Sequence, residues 1–393
     1  MLDLLDTDLL LSLFLFLVAW VGHSALMVTL HNQFYGLATP KGTGKFILAF
    51  FGSLTFVFPL ALWSAAGWDP RALFVYPDGL SWRTAAAGYV ALCWLTGFVL
   101  FPLDTLRRAL RPKAPALLES RSRVVDIAQQ LGRRPVGMRR KRHLCRLPGN
   151  QVFQVELAEH TVRLPRLPAA WDGLTLLHLS DLHLSGTPDR DYFHAVMDHC
   201  RAWEPDLVCV TGDVADSMHH KRWIVPVLGR LRWKVAAFAI LGNHDLWYEP
   251  EYIRRRLRRL GMRVLDNTWE RLEVRGEPLV VVGHEGPWFK PRPDLSAAPA
   301  EPFRLCLSHT PDNIAWARRQ RVDLMLSGHV HGGQVRVPLF GSILVPSRYG
   351  RRYDSGLYDE PPTLLHVNRG LSGEHPLRYN CRPEATLLTL RAP

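Results

Sequence analysis

The sequence predicts an α/β domain of two packed mixed β-sheets flanked by helices, preceded by an N-terminal region of three membrane-spanning helices. Three observations predict it. The first hundred residues contain three long apolar stretches, strand-like and helical runs alternate from residue 151 onward, and the last third is strand-rich. Each sheet face and each helix stripe must bury its apolar side, and alternation followed by strands does so in layers with the helices outermost.

The apolar stretches are residues 9–30, 46–68 and 85–102, each close to the ~20 residues a helix needs to cross a bilayer. They define a transmembrane region, 1–104. A cleavable signal peptide is excluded by its start, where Asp3, Asp6 and Asp8 replace the expected basic segment. His23, Ser24 and His31 read as interfacial or helix-contact residues. The first connector carries Lys41 and Lys45, whereas the second balances Arg71 and Arg83 against Asp69 and Asp78. After the third span comes a basic stretch beginning Arg107-Arg108. The positive-inside rule then places the chain in a bacterial inner (cytoplasmic) membrane with its C-terminal domain in the cytoplasm.

The net charge of +12 is unevenly spread. Thr105 to Arg146 holds 13 Lys/Arg against two acids, while Asp172 to the end holds 29 basic and 26 acidic residues. The basicity belongs to a juxtamembrane linker, 105–150, suited to anionic lipid at about 1 kcal/mol per Lys/Arg. A nucleic-acid enzyme would carry a basic face on the folded domain itself, so nucleic acid is not the expected partner. Six scattered cysteines (Cys93, Cys145, Cys200, Cys209, Cys306, Cys381) exclude a disulfide framework and a cysteine-zinc site.

The third region is 151–393. Val152, Phe153, Val155 and Leu157 suggest a strand pair leading in, and Trp171-Asp172-Gly173 a turn before the apolar run Leu174 to Leu179. Helices are expected over Asp189 to Trp203, Ile224 to Leu231, Glu251 to Leu260 and Asn313 to Arg319. Strands are expected at Leu207–Val210, Val235–Leu241, Leu279–Val282, Phe303–Leu307 and Leu324–Leu326, with Val335–Val337, Leu364–Val367 and Leu387–Leu390 at the end. Just after successive strand-like runs stand Ser180-Asp181-Leu182-His183, Gly212-Asp213-Val214-Ala215-Asp216, Gly242-Asn243-His244-Asp245, Ser308-His309 and Gly328-His329-Val330-His331. Asp181 and His183 lie two apart, so an extended backbone would point them the same way. Strand ends put all these groups on one rim of the sheets. The donors Asp181, His183, Asp213, Asn243, His309, His329 and His331 are oxygen and imidazole only. Seven are too many for one tetrahedral site; they suit two divalent ions of the Mn, Fe, Zn or Mg type. A shared carboxylate would hold these about 3.5–4 Å apart, a spacing suited to a phosphoryl group.

This series resembles the calcineurin-like metallophosphoesterase superfamily over roughly Leu174 to Leu390. Ser-Asp-Leu-His together with Gly-His-Val-His-Gly-Gly-Gln is similar to its bacterial membrane-associated phosphodiesterase branch, which usually has Thr where Val330 stands. The resemblance implies the four-layer metallophosphoesterase fold. It implies Asp181, His183 and His331 on one metal, Asn243, His309 and His329 on the other, and Asp213 bridging. His244 would stabilise the transition state or protonate the leaving oxygen, with Asp216 as its orienting partner and catalytic companion. The metals would acidify the attacking water from a pKa of about 15.7 to near 7. The expected partners are a bilayer and a phosphate-containing, lipid-linked substrate; no oligomeric state is specified. The rivals are a soluble nucleotide or nucleic-acid phosphodiesterase and a non-catalytic scaffold on the same fold, which would tend to lose metal or catalytic positions.

Around these motifs, His178 reads as a core histidine, and His219 and His220 as a surface helix start. His284 and Glu285 sit at the same rim as candidates for substrate contact or for support of the ligands. Arg348, Tyr349 and Arg351 are candidates for phosphate contact. Trp247, Tyr248, Trp288 and Phe289 fall just beyond site loops, and Arg254-Arg255-Arg256 with Arg258-Arg259 reads as a solvated helix face.

Overall fold

The computed structural model describes residues 7–40, 42–65, 67–69, 71, 84–138 and 141–393. Asp3, Asp6, Lys41, Asp78, Arg83, Arg139 and Arg140, which entered the charge argument, lie outside them. The chain divides into two compact units, Met1–Pro112 with Leu339–Leu344, and Lys113–Pro338 with Val345–Pro393.

In the first unit, α1 (Thr7–Tyr35) is followed by α2 (Thr43–Ala65), and then by α3 (Thr84–Leu95), which passes through a π-helical turn (Thr96–Leu100) into α4 (Phe101–Ala109). Over Thr7–Tyr35, Thr43–Ala65 and Ala87–Ala109 the helices are long and apolar enough to cross a membrane. The second ends at Ala65, before the expected residue 68, and the third runs past the expected 102 to Ala109. Their outward faces are apolar, with Phe46, Phe50, Phe56 and Leu60 exposed, as lipid-facing helices require. Their contacts with each other use small and polar residues. A Cβ on Gly22 would lie 1.8 Å from the Cys93 carbonyl oxygen, and one on Gly97 2.6 Å from that of Val18. Only glycine lets these backbones approach so closely. His23 joins three helices: its Nδ1 lies 2.5 Å from the Tyr89 hydroxyl, its Nε2 lies 3.0 Å from the Leu54 carbonyl oxygen, and its ring stacks on Phe58.

The second unit holds two large sheets. In chain order the strands are β1 (Leu117–Asp126), β2 (Gln154–Arg163), β3 (Thr175–Leu179), β4 (Leu207–Thr211), β5 (Ala236–Ile240), β6 (Arg263–Val264), β7 (Trp269–Val274), β8 (Glu277–His284), β9 (Phe303–Ser308) and β10 (Leu324–Ser327). The short strand β11 (Arg336–Val337) follows, while β12 (Gly341–Ser342) belongs to the first unit. Then come β13 (Gly356–Glu360), β14 (Thr363–Val367) and β15 (Glu384–Arg391). One sheet runs β1-β2-β15-β3-β4-β5-β6 and the other β13-β14-β10-β9-β8-β7, both mixed. β4 shows how the layers form. All five of its residues are buried: Leu207 and Cys209 face the core between the sheets, while Val208 and Val210 face a core shared with helices Arg190–Arg201 and Pro250–Arg259. A strand covered on both faces reads as an unbroken apolar run. A third core packs helix Ile314–Arg319 on the outer face of the second sheet. The order is helices, sheet, sheet, helix.

Part of the stretch expected to be a linker is strand. β1 pairs antiparallel with β2, Val125 opposite Val155, although most of its residues are exposed. Exposed on both faces, it has no apolar alternation to betray it, and its charges suit a sheet edge.

Candidate metal centre

β3, β4 and β5 are parallel neighbours, as are β8, β9 and β10, so their C-terminal ends share a rim. Asp181 and His183 follow β3, Asp213 follows β4, Asn243 and His244 follow β5, His309 follows β9, and His329 and His331 follow β10. The expected extended backbone at Asp181 and His183 is not found. Both have left-handed φ, 51° and 44°, as do Asp213, His329 and His331. The loops dictate this. Asp181 and His183 donate their main-chain N–H groups to the carbonyls of Gly212 (3.0 Å) and Asp213 (2.9 Å), so the two loops climb side by side. Left-handed φ is disfavoured in non-glycine residues, least so in Asp, Asn and His, and recurs where function over-determines geometry.

The side chains converge in two groups, Asp181 with His183 and His331, and Asp213 with His309 and His329, each offering donor atoms within 4.8 Å of one another, and His244 comes within the same distance of His183 and Asp213 where the groups meet. In the first, His183 Nε2 lies 3.2 Å from His331 Nε2 and 3.7 Å from Asp181 Oδ1. In the second, His309 Nε2 lies 3.3 Å from Asp213 Oδ2 and 3.0 Å from Asn243 Oδ1. Asp213 Oδ2 is also 3.6 Å from His183 Nε2, so one carboxylate oxygen faces both groups.

These residues fit divalent ions on three counts. His309 Nδ1 donates to the Thr211 carbonyl (2.7 Å), which turns its Nε2 toward the centre, where an ion would displace the Nε2 proton. His183 Nδ1 sits 3.1 Å from Asp216 Oδ2, the carboxylate–imidazole arrangement that orients metal-bound histidine. His329 Nε2 is buried without a hydrogen-bond partner.

The electrostatics agree. Burial alone would raise the carboxyls of Asp181, Asp213 and Asp216, yet the surrounding imidazoles hold all three below the ordinary range. Burial pulls His309 down, but Asp213 outweighs it and lifts the ring to about 9. His329 goes the other way, to about 3, through burial and the neighbouring His309. The carboxylates thus draw positive charge into a buried place, and divalent ions that supply it would release protons on binding.

His244 stands apart from the ligands as a group able to meet substrate. Its side chain is 15% exposed while Asp181 and His183 are at 0%. Its Nδ1 lies 2.5 Å from Asp216 Oδ1, and its main-chain N–H donates to Asp213 Oδ1 (2.8 Å). Asp216 therefore holds two histidines, one on each oxygen. Trp247 packs 5.1 Å from the His244 ring, and Trp288 4.7 Å from that of His329, so both tryptophans flank the centre.

The other sequence candidates sort differently. His284 is not brought to the site surface: it is buried, its Nδ1 accepts the N–H of Gly286, and its ring meets Trp316 edge-on. Arg348 is exposed and donates its main-chain N–H to Asp312, and Arg351 lies half-buried in the turn Gly350–Tyr353. Arg254 is no solvated residue. It is 4% exposed and clamps Glu285 at 2.6 Å, while Glu285 accepts the Leu241 N–H ahead of Asn243. Helical spacing turns this one arginine inward while Arg255 and Arg258 stay on the outer side. His178 lies in the core as expected.

Two supports escaped the sequence reading. Asp245 is buried and accepts the N–H groups of Val214, Ala215 and Gly242, tying two ligand loops together. Arg378 is buried and donates to the His331 carbonyl (3.0 Å). The Asp245 signal was present in Gly-Asn-His-Asp; nothing local marks Arg378.

The family model described as calcineurin-like phosphoesterase matches residues 174–333. The chain is 31% identical to an uncharacterized metallophosphoesterase, YkuE, of Bacillus subtilis, over 61% of its own length and 86% of the relative's. It is 34% identical to the phosphodiesterase YaeI of Escherichia coli, over 55% of this chain and 81% of that one. A transmembrane protein with metallophosphoesterase domain from Bos taurus is 27% identical over 77% of this chain and 68% of its own.

Proposed function

Because this chain belongs to the calcineurin-like phosphoesterases and is a metal-dependent phosphoester hydrolase, we propose that it cleaves a phosphodiester or pyrophosphate bond of a lipid-linked substrate at a dinuclear centre. The observation that carries the substrate class is the presence, in one chain, of two donor groups and three apolar helices of membrane-spanning length. These helices mark the protein as membrane-anchored; the proposed setting is the inner membrane with the hydrolase domain in the cytoplasm. Asp181, His183 and His331 would hold one divalent ion, Asn243, His309 and His329 the other, with Asp213 between. Bound there, the ions would supply Lewis-acid charge and acidify a water near neutral pH.

The chain's own residues do the rest. Asp216 holds Nδ1 of His244, leaving Nε2 to meet the leaving oxygen and deliver a proton as it departs. Asp245, and Glu285 with Arg254, fix the loops that carry Asp213, Asn243 and His244. Arg348 and Arg351 are proposed to contact phosphate.

With Mn²⁺ present, the purified full-length protein is expected to hydrolyse lipid phosphodiesters or pyrophosphates in mixed micelles in preference to soluble nucleotides at matched concentration. Cleavage of soluble nucleotides alone would abandon the lipid-linked reading in favour of a nucleotide phosphodiesterase.

Gly242 offers a steric test. A Cβ there would lie 2.2 Å from Asp213 Oδ1, 2.5 Å from the His309 ring and 2.6 Å from the Asp213 main-chain nitrogen. Gly242→Ala is expected to keep the fold and lower turnover of bis-p-nitrophenyl phosphate by about a hundredfold, the order lost to a 1 Å misplacement. Thermal melting by circular dichroism separates this from unfolding. Unchanged turnover would mean that the Asp213 loop can shift without disturbing the donors.

A further inference from the structure

A second group of buried and half-buried titratable side chains joins strands of the two sheets. His160 on β2, His366 on β14 and Glu384 on β15 offer donor atoms within 4.8 Å of one another. His366 is wholly buried and Glu384 is 3% exposed. None of the three belongs to the catalytic rim.

The protons in this group can be followed residue by residue. His178 Nε2 lies 3.0 Å from the Thr211 hydroxyl, which also lies 3.5 Å from the Leu179 carbonyl oxygen. Burial keeps the His178 imidazole neutral, so a proton on Nε2 leaves a lone pair on Nδ1. His178 Nδ1 lies 2.8 Å from His366 Nδ1, so one ring donates to the other, and a proton on His178 Nε2 makes His366 the donor. In that arrangement His366 Nε2 keeps a lone pair, and the atom is buried without a hydrogen-bond partner. It faces Glu384 Oε1 across 3.9 Å, too far for a shared proton. Two ligands on one tetrahedral zinc, bonded at about 2.0–2.1 Å, stand about 3.4 Å apart, so a shift of roughly half an ångström would close the pair on an ion. His160 adds a ring nitrogen, and its buried Nδ1 likewise has no partner.

The surroundings are those of a supported ligand set. Thr386 donates its hydroxyl to Glu384 Oε1 (2.6 Å), and Asn368 donates to that same Thr386 oxygen. Arg369 takes the other carboxylate oxygen, Oε2, and also pairs with Glu156 at 3.0 Å. Two carboxylates against one guanidinium leave a net negative charge beside two neutral imidazoles. Two nitrogens and one oxygen are zinc-type donors.

We propose that His160, His366 and Glu384 form a second, non-catalytic cation site that takes a divalent transition ion of the zinc type and ties β2 and β15 of one sheet to β14 of the other. Its support runs through His178, so the histidine that reads as core filler becomes a hydrogen-bond partner of ligand His366.

Zinc content of the purified full-length protein in detergent, stripped with chelator and reloaded with Zn²⁺, tests this by inductively coupled plasma mass spectrometry. His160→Ala and Glu384→Gln are each expected to hold one equivalent less than wild type, with bis-p-nitrophenyl phosphate turnover within about twofold. Zn²⁺ should raise the wild-type melting temperature by several degrees more than that of His160→Ala. His160 is the least buried of the three, so its variant keeps the test open if Glu384→Gln does not fold. Equal zinc content in wild type and folded His160→Ala overturns the proposal, whatever the catalytic centre holds; loss of catalytic metal with this difference intact counts only against the dinuclear reading.

Discussion

Asp213→Asn is expected to abolish the catalytic centre while leaving the domain folded. One oxygen of this carboxylate faces both donor groups, 3.6 Å from His183 Nε2 and 3.3 Å from His309 Nε2. The other accepts the His244 N–H, a bond the Asn carbonyl can keep. The substitution therefore removes the charge common to both groups and little else. Bound metal should fall by at least one equivalent at the rim, and turnover by at least about a thousandfold, the order lost when a preorganised charge is taken from a transition state. Metal analysis and bis-p-nitrophenyl phosphate turnover measured on the same preparation check it. A variant that keeps full metal and full turnover would contradict the bridging role.

His244→Ala is expected to separate binding of the ions from use of them. The side chain is hydrogen-bonded to Asp216 and partly exposed, near His183 and Asp213 but in neither three-residue donor group assigned to an ion; its loss should leave metal content at the wild-type value. Turnover should fall by about 10²–10⁴-fold, the range for a general acid, with KM changed only a few-fold. Steady-state kinetics on a substrate with a good leaving group, such as p-nitrophenolate, should show a smaller loss than on one with an alkoxide, because the better leaving group needs less protonation. An equal loss on both would assign His244 to charge stabilisation and remove the proton-delivery step.

How far the sequence foretells this molecule depends on whether the relevant residues are neighbours in it. The donors were legible because each sits at the end of an apolar strand with a glycine or serine beside it, so a short motif carries both its place and its chemistry. Their backbone was not: left-handed φ at Asp181 and His183 comes from hydrogen bonds to the Gly212–Asp213 loop, some thirty residues away. β1 was hidden because backbone pairing with β2, not burial, makes it a strand. Arg254 and Arg378 are arginines whose partners come from remote segments, so composition assigned Arg254 to the surface and passed over Arg378. The histidine group between the sheets joins positions 160, 178, 366 and 384, and no spacing along a chain announces such a meeting.

The place of β15 bears on the order in which the domain can fold. It lies in the middle of the first sheet, parallel to β2 and antiparallel to β3, with Leu388 opposite both His160 and Leu176. The stretch leading into it reaches the first ligand loop, where Leu371 and Ser372 donate their N–H groups to the carbonyls of Ser180 and Asp181. β3, β4 and β5 can associate through connections of a few tens of residues, but the β1–β2 pair joins them only through β15, more than two hundred residues beyond β2, and closing so long a loop slows folding. Asp181 comes first among the ligands along the chain, yet its loop is among the last parts to be seated. Metal loading should therefore report completion of the fold and not its beginning.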